Sequence, residues 1–322
     1  MAKSLERVPI ILAGPLLALL GCRDEASRIP ALPTFARQNR VSISKFVEAD
    51  RRAREEPRSA EAIGRLGMLY HAYAFINEAR TSYRIARELA PDDFRFVYYA
   101  AKLEKTAFAY EGAEALFRSA LAMKPDDAEL LAELGDLYLM WNRREDAETH
   151  LAKAHDLDPL QPVAALGMAR LRMLEQKWDA VIEIVTPLLK PYPRLSSAHK
   201  LLAAAYGALG IEDKRAFHQD AGEYGSAVDS ILMQELNELA VDAILDGDPA
   251  FGRDLLQVKC ARCHNHARIY DHDEERIWWA RTVRRMQREA GWDWLTDDEA
   301  ASVVAYLSER RPSENRRLNY GP

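Results

Sequence analysis

The sequence predicts an all-α protein in which an array of paired helices precedes a small helical domain. Prolines recur at intervals of 34 residues through the middle of the chain, at Pro57, Pro91, Pro125, Pro159 and Pro193. Between them, apolar and small residues follow the three-to-four-residue spacing of helices that pack on one face. After residue 248 this period stops, and a Cys-Ala-Arg-Cys-His sequence stands between two further helical patterns.

The composition indicates an ordinary globular chain with room for two domains. Hydrophobic residues make up 48% of the 322 residues and charged residues 29%, and the formal net charge is −6. A chain of this length buries enough surface to need no additional cross-links for bulk stability. The mildly acidic balance excludes the basic surface typical of a nucleic-acid-binding protein. Each of the three cysteines has a separate predicted role, so we expect no structural disulfide.

Residues 1–21 have the pattern of an export signal. Lys3 and Arg7 precede a short apolar stretch, Val8 to Leu20, whose two prolines make it a poor membrane-spanning helix. The stretch ends in Leu-Leu-Gly-Cys at Cys22, which resembles the bacterial lipoprotein signal. The resemblance implies cleavage before Cys22 and acylation of that cysteine, which together give a stable membrane anchor. The alternative is an ordinary signal peptide with an incidental cysteine.

Residues 22–41 are predicted to be a tether between the anchor and the array. They carry Pro30 and Pro33 and show no apolar period. Arg23, rather than aspartate, follows the lipidation site, which by analogy with bacterial sorting favours the outer membrane. We therefore expect a periplasmic protein that is anchored to a bacterial membrane.

Residues 42–225 are predicted to form a leading half-unit, four clear helix pairs and a degenerate fifth pair. Each periodic proline would end the second helix of a pair, because its ring and missing N–H prevent continuation. One of the best units reads Leu66-Gly67, Tyr70, Ala79, Tyr83, Ala86, Pro91. Self-similarity at this period is typical of tetratricopeptide repeats, which the array resembles. Residues 226–247 are expected to supply a helix that caps the apolar end of the stack, and a linker.

The resemblance implies a groove lined by the first helix of each pair, in which a partner protein or redox complex docks. By the family pattern, the groove-facing residues of the second pair include Arg95, Tyr98, Lys102 and Lys105. They would form a basic patch beside an aromatic ring, although the two lysines could equally lie on a solvated helix face. The carboxylate clamp of some relatives is not expected, since Gly64 and Met68 stand at its positions.

Residues 248–322 carry a haem-attachment motif. Cys260 and Cys263 lie on one side of a helical turn, where they can form thioethers with haem, and His264 can bind the iron. The sequence from Pro249 to Leu256 and a helix that begins at Thr296 resemble the crossing first and last helices of small c-type cytochromes. The resemblance implies one covalent haem c.

Two other uses of the cysteines remain open. A zinc site could combine Cys260 and Cys263 with two of His264, His266 and His272. A redox-active disulfide is the other alternative, although no strand–helix alternation surrounds the motif. The export signal and the flanking helices favour haem over both.

Met286 is the predicted second axial ligand of the iron. A helix from about Glu274 to Ala290 would place Trp279, Val283 and Met286 on one face, with Trp279 packed against the haem. The stretch resembles small cytochromes in which a tryptophan and an Arg-Met pair precede the last helix. More familiar cytochromes differ, because their ligand methionine lies nearer the last helix and a proline follows the motif. His272 and an open iron site are the alternatives.

Four arginines on the same predicted helix could pair with haem propionates or dock an acidic partner. They are Arg281, Arg284, Arg285 and Arg288. We expect most of them to face solvent, with only their aliphatic stems covering apolar surface.

These features together predict a lipid-anchored periplasmic c-type cytochrome that transfers single electrons and is more an electron carrier than an enzyme. The repeat array would hold the haem near its redox partner. One rival function is an enzyme or gas sensor with an open iron site. Another is an assembly scaffold of a membrane or redox complex, with a structural or sensory haem.

Overall fold

The computed structural model describes residues 25–35, 38–223, 231–260, 269, 274–290 and 294–309. Within these ranges the chain is almost entirely α-helical, as the sequence predicts. No helix of the described part is long and apolar enough to cross a membrane. Five residues with predicted roles, Cys22, Cys263, His264, His266 and His272, lie outside the described residues.

A superhelical array of helix pairs forms the first part of the fold. A leading helix, α1 (Arg40–Glu55), precedes four pairs: α2 (Ala60–Ala72) with α3 (Ile76–Leu89), α4 (Phe94–Thr106) with α5 (Tyr110–Met123), α6 (Ala128–Met140) with α7 (Arg144–Leu157), and α8 (Pro162–Leu174) with α9 (Trp178–Val185). The fifth pair is α10 (Ser196–Ala208) with α11 (Glu212–Glu223). Pro57, Pro91, Pro125 and Pro159 each lie two residues after a helix that ends a unit, as predicted, whereas Pro193 lies beyond α9 and a short 3-10 helix, Thr186–Leu189.

The first helices of the four pairs begin at side-chain caps that repeat with the array. Ser59, Asp93, Asp127 and Gln161 each accept a hydrogen bond from a backbone N–H of the first helical turn. A side chain at this position satisfies an N–H group that has no partner within the helix. The array therefore carries a start signal as well as a proline stop signal in each unit.

Glycines let the helices of the array approach closely around Leu151. A Cβ atom at Gly135 would lie 2.6 Å from the Leu151 Cγ, and one at Gly167 would lie 2.7 Å from its Cδ2. Real Cβ atoms do not come this close to other carbons, so a larger residue at either site would force the helices apart. The buried Leu151 fills the space that the two glycines leave.

The turn inside each pair contains one residue in the left-handed region of backbone space. These residues are Ala74, Phe108, Asn142, Gln176 and Gly210, with φ angles of 57°, 58°, 59°, 58° and 71°. Left-handed geometry is costly for residues with a Cβ atom and costs glycine nothing in steric terms. Only the fifth pair uses glycine at this position.

Phe108→Gly is expected to raise the free energy of unfolding by about 0.5–1 kcal/mol. The Phe108 side chain is 67% exposed, so its removal sacrifices little burial. Urea unfolding followed by circular dichroism would measure the change, and Gly210→Ala, in the equivalent turn, should have the opposite sign. A destabilised Phe108→Gly variant would show instead that the contact between Phe108 and Tyr110 stabilises the turn by more than the left-handed backbone costs. The two ring centroids lie 6.3 Å apart.

Residues 25–35 pack against the array, which corrects the prediction of a tether over this part of the chain. Ile29 is 3% exposed, and the ring of Phe35 lies 5.0 Å from that of Phe46 in α1. Arg54 donates hydrogen bonds to the carbonyl oxygens of Ala26 and Pro30, at 3.2 and 3.0 Å. Two isolated apolar residues show no period, so the sequence pattern did not reveal this contact.

Helix α12 (Ile231–Val241) does not cap the last pair but lies across the first helices at the opposite end of the array. It packs against α2, and the Lys45 ammonium group in α1 donates to the Leu239 carbonyl oxygen at 2.8 Å. The Tyr99 hydroxyl in α4 lies 3.1 Å from both the Leu232 carbonyl oxygen and the Glu235 carboxylate. The cap predicted for residues 226–247 is therefore corrected by these contacts.

The described part of the C-terminal unit contains three long helices: α13 (Pro249–Val258), α14 (Arg276–Ala290) and α15 (Asp297–Glu309). α13 crosses α15 so closely that a Cβ atom at Gly252 would lie 1.9 Å from the Ser302 carbonyl oxygen. α15 begins at the predicted capping box: the Thr296 N–H donates to Glu299 at 2.8 Å, and the Glu299 N–H donates to the Thr296 hydroxyl at 3.2 Å.

Candidate functional site

An apolar cavity lies between the three helices of the C-terminal unit. Its volume is about 30 Å³. Helices α13, α14 and α15 all contribute to its wall. The lining residues are Leu256, Cys260, Ile269, Trp279, Thr282, Val283, Met286, Trp294, Leu295, Val303 and Leu307. Thr282 is the only member of this set with a hydroxyl group, so the cavity suits an apolar occupant.

The cavity brings together three residues to which the sequence analysis gave a common role. Cys260 is 6% exposed and Trp279 is 4% exposed, and both line the wall. Met286, half-buried on the same helix as Trp279, lines it too. A thiol, a thioether and an indole ring therefore face one apolar space.

Two residues that the sequence predicts to hold a haem, Cys260 and Met286, share this wall, and its other members are mostly hydrophobic. A lining of this kind is chemically compatible with a porphyrin ring. Among the described residues, no three histidine, cysteine or acidic side chains are placed so that they could hold a metal ion. The histidines of the zinc alternative lie outside the described residues.

An ion pair next to the motif joins the ends of α13 and α15. The Lys259 ammonium group lies 2.8 Å from both carboxylate oxygens of Glu299 and donates to the Trp294 carbonyl oxygen at 2.9 Å. Burial raises the pKa of Glu299, but hydrogen bonds from Lys259 and Thr296 and the lysine charge outweigh burial and lower it. Because Lys259 precedes Cys260, this contact fixes the backbone where the motif begins.

Arg284 is buried and is an exception to the expectation that most arginines of α14 face solvent. Its side chain is 3% exposed and forms a salt bridge with Asp297, whose side chain is 1% exposed. The guanidinium group also donates to the Ala240 carbonyl oxygen at 2.7 Å and to the Gln287 side chain at 2.9 Å. Arg281 follows the expectation, since it is 53% exposed and pairs with Glu238 at the surface.

The same buried pair connects the C-terminal unit to the start of the array. The Ser42 hydroxyl donates to Asp297 at 2.6 Å, and the Asn39 backbone N–H donates to the same carboxylate at 3.2 Å. Ser42 also lies 2.7 Å from the Tyr73 hydroxyl, whose ring faces the Arg284 guanidinium at 5.1 Å. We call Asn39, Ser42, Tyr73, Arg284 and Asp297 the docking network.

The sequence reasoning did not identify the docking network. Its members are spread from residue 39 to residue 297, and each has an ordinary local role as a helix cap or a helix residue. Asn39, for example, caps α1 through a 3.1 Å bond to the Ser42 N–H and also donates to the Ala243 carbonyl oxygen at 2.6 Å. No local pattern signals a contact over this separation in sequence.

The predicted groove residues of the second pair are engaged with the neighbouring pairs. Arg95 pairs with Glu61 at 2.8 Å, and the Tyr98 hydroxyl donates to Glu129 at 2.5 Å. Tyr98 is only 1% exposed. Both contacts run from one first helix to the next, so they hold the array together along its inner side.

Lys102 and Lys105 form the most deeply buried part of this row of contacts. Their ammonium groups lie 2.6 and 2.7 Å from the two oxygens of Glu133, and Lys105 also lies 2.7 Å from Asp136. Arg170 continues the row by pairing with Asp136 at 3.0 Å. The expectation of a basic patch is therefore corrected: acidic side chains of the third pair neutralise both lysines.

The comparisons with known proteins agree with this architecture. The tetratricopeptide-repeat family matches residues 106–154. This region runs from the end of α4 into α7 and includes one periodic proline, Pro125. The tetratricopeptide repeat is thus shown for one part of the array, residues 106–154, and the other helix pairs recur at the same interval of 34 residues. Repeats of this kind generally bind partner proteins on their extended surfaces.

Several solved tetratricopeptide-repeat structures are similar to the chain at low identity. A repeat protein from Parabacteroides merdae is 17% identical, with 84% of this chain and 93% of that one covered and a TM-score of 0.49. PilF of Pseudomonas aeruginosa is also 17% identical, with coverages of 66% and 93% and a TM-score of 0.47. YrrB, a repeat protein with an unusual peptide-binding site, is 19% identical, with coverages of 62% and 96% and a TM-score of 0.42. No curated protein matches the sequence.

Acidification is expected to remove the contribution of Glu133 to the stability of the tetratricopeptide-repeat array. Burial raises the pKa of this carboxyl, but Lys102 and Lys105 outweigh burial and lower the pKa to about 2, from an ordinary value of 4.5. The stabilisation is therefore complete above the ordinary value and is lost as the pH falls towards the folded-state value.

Urea unfolding at a series of acidic pH values would test this expectation. In Glu133→Gln the free energy of unfolding should depend less on pH in this window than it does in the wild type. Glu145→Gln, on the exposed face of α7, is the matched control and should follow the wild type. Equal slopes for all three proteins would contradict the assignment.

Proposed function

We propose that the protein is a lipid-anchored periplasmic c-type cytochrome that transfers single electrons, with the repeat array docking a partner protein or redox complex. The observation that carries this proposal is that Cys260 and Met286 line one apolar cavity. Cys260 opens the Cys-Ala-Arg-Cys-His motif, and Met286 is the only methionine after it. The close crossing of α13 and α15 at Gly252 supports the resemblance to small cytochromes.

Each predicted site residue has a distinct task in this proposal. Haem supplies one-electron chemistry when it is bound. Cys260 and Cys263 would hold it covalently, and His264 and Met286 would bind its iron. The buried Trp279 would pack against it, and the other apolar side chains of the cavity would exclude water. A methionine ligand favours a higher reduction potential than a second histidine does.

The anchor and the array would bring this site to its partner. Acylated Cys22 would hold the chain at a membrane, with the outer membrane favoured by Arg23. Binding through the array would raise the local concentration of the electron carrier at its partner without a tight contact at the haem itself. Apolar side chains remain accessible on later first helices, where Met140 is 40% exposed and Leu174 is 57% exposed. We therefore place the partner surface on the later repeats rather than at Tyr98 and Lys105.

A pyridine haemochrome spectrum tests the central claim. The full chain would be purified in detergent from a bacterial host that has cytochrome c maturation machinery. We expect one haem per chain that acid–acetone extraction does not remove, and none in the Cys260→Ser/Cys263→Ser variant. Mass spectrometry of the same sample would show acyl chains on Cys22. Bound zinc without haem would contradict the proposal and indicate a repeat protein whose C-terminal part is held together by zinc.

Met286→Ala is expected to keep the covalent haem and lose the sixth ligand. The ferric sulfur-to-iron charge-transfer band should disappear, and the ferrous protein should bind carbon monoxide, which the wild type should exclude. His272→Ala is the matched control and should retain the wild-type spectrum. Carbon monoxide binding by the wild type would instead favour the gas-sensor function, and a change only in His272→Ala would assign the ligand to His272.

A further inference from the structure

Helix α14 has two adjacent buried faces with different partners. One face carries Trp279, Val283 and Met286 and lines the apolar cavity. The other carries Arg284 and Gln287, which are 4% and 0% exposed and belong to a polar environment. Successive residues of an α-helix differ by about 100° in direction, so the residues next to Val283 and Met286 face a separate part of the molecule.

The polar face of α14 is held from three directions. Gln287 donates to the Leu295 carbonyl oxygen at 3.0 Å, which ties α14 to the segment before α15. Arg284 binds the Ala240 carbonyl oxygen at the end of α12 and forms its buried salt bridge with Asp297. Asp297 in turn accepts the hydrogen bond of Ser42, which lies in the first turn of α1.

We infer that the repeat array positions the helix that presents Met286 to the haem iron, through the docking network. Ser42 and Tyr73 act as positioning residues: they contact Asp297 and Arg284 and are not among the residues that line the cavity. This inference rests on the proposed function, since it concerns the ligand of a bound haem. It adds that ligation by Met286 depends on the array.

The rigidity of α14 and of its buried salt bridge gives the physical reason for this coupling. α14 cannot rotate to move Met286 away from the cavity while Arg284 stays in its salt bridge, because both side chains project from the same turn region of one helix. A charged pair in a buried setting is costly to separate, so the helix orientation is well defined as long as the pair is satisfied. Ser42 and the Asn39 N–H satisfy the oxygen of Asp297 that Arg284 does not occupy.

Displacement of the methionine by imidazole is the first measurement. In the full, haem-loaded chain, Asp297→Asn is expected to bind added imidazole at least tenfold more tightly than the wild type, equivalent to about 1.4 kcal/mol. Ser42→Ala and Tyr73→Phe, which remove only hydroxyl contacts from the array side, should show rises of at least about threefold, equivalent to about 0.6 kcal/mol. The reduction potential should fall in the same order, since weaker methionine ligation lowers it.

Arg281→Gln is the matched control, because it breaks an exposed ion pair on the same helix. Its imidazole affinity should equal that of the wild type. All variants should keep one covalent haem per chain, which separates loosened ligation from a failure to mature. Wild-type imidazole affinity in Asp297→Asn and Ser42→Ala would overturn the inference.

Hydrogen exchange of the haem-free chain, the Cys260→Ser/Cys263→Ser variant, is the second measurement. We expect Asp297→Asn, introduced into that background, to raise exchange in α14 at least tenfold and to leave α6 and α7 unchanged. Unchanged exchange in α14 would overturn the positioning role whether or not the wild type carries haem. Absence of haem from the wild type would contradict the proposed function and the ligand role of Met286. The haem content tests those two claims, whereas the exchange rate in α14 tests the positioning role separately.

Discussion

Replacement of Gly252 by alanine is expected to destabilise the C-terminal unit by about 3 kcal/mol. A Cβ atom at this position would lie 1.9 Å from the Ser302 carbonyl oxygen and 2.4 Å from the attached carbon. Both are backbone atoms in the middle of α15, so no rotation of a side chain can relieve the clash. The two helices would have to separate, which would expose apolar surface of the cavity wall.

Guanidinium unfolding followed by tryptophan fluorescence would measure the effect, because Trp278, Trp279 and Trp294 lie in the C-terminal unit. Gly112→Ala is the matched control: the nearest atom to a Cβ atom there is 3.8 Å away, and α5 should gain about 0.5 kcal/mol from the better helix former. The same Gly252→Ala chain should incorporate less haem in a maturation-competent host. Wild-type stability of Gly252→Ala would show that α13 and α15 do not cross as closely as described.

Arg284→Met is expected to destabilise the protein by about 3–5 kcal/mol, because it leaves the Asp297 carboxylate buried without its cation. Asp297 is 1% exposed and could regain solvation only if α15 or α1 moved. The double variant Arg284→Met/Asp297→Leu removes both charges, and its loss should be clearly smaller than the sum of the two single losses. Buried charged pairs behave in this way because most of the cost of breaking them comes from the charge left behind.

A double-mutant cycle in urea, monitored by circular dichroism and fluorescence together, would quantify the coupling. Arg281→Met, which breaks an ion pair with half-exposed partners, should change the free energy of unfolding by less than about 1 kcal/mol. Additive losses in the cycle would mean that Arg284 and Asp297 do not form a buried pair in solution.

The docking network and α12 show that other parts of the chain pack against the repeat array. α12 lies across α2 and contacts α1 and α4, and the C-terminal unit contacts α1 through Asp297 and the start of α10 through the 2.6 Å pair of Glu274 with Arg194. Part of the surface formed by the first helices is thus covered by the protein itself. The array therefore supports the protein's own C-terminal unit.

The sequence by itself determined the helical repeat. Prolines at a constant interval end helices wherever they occur, because a missing N–H and a fixed φ angle act locally. The capping box at Thr296 and Glu299 was equally predictable, since its two hydrogen bonds join residues of a single turn. The apolar stripe of Trp279 and Met286 follows from helical geometry alone.

Only the tertiary structure decided where these elements meet. The helical period identifies an apolar face but not the helix that covers it, so the position of α12 and the packing of residues 25–35 could not be read from it. The charges of Lys102, Lys105 and Arg284 suggested solvent or a partner, because sequence shows a charge and not its counter-ion. Glu133 lies 31 residues from Lys102 and 28 from Lys105 in sequence, and Asp297 lies 13 residues from Arg284. These counter-ions therefore reach the charges only in the folded chain. Burial then turns ordinary surface residues into the contacts that hold the molecule together.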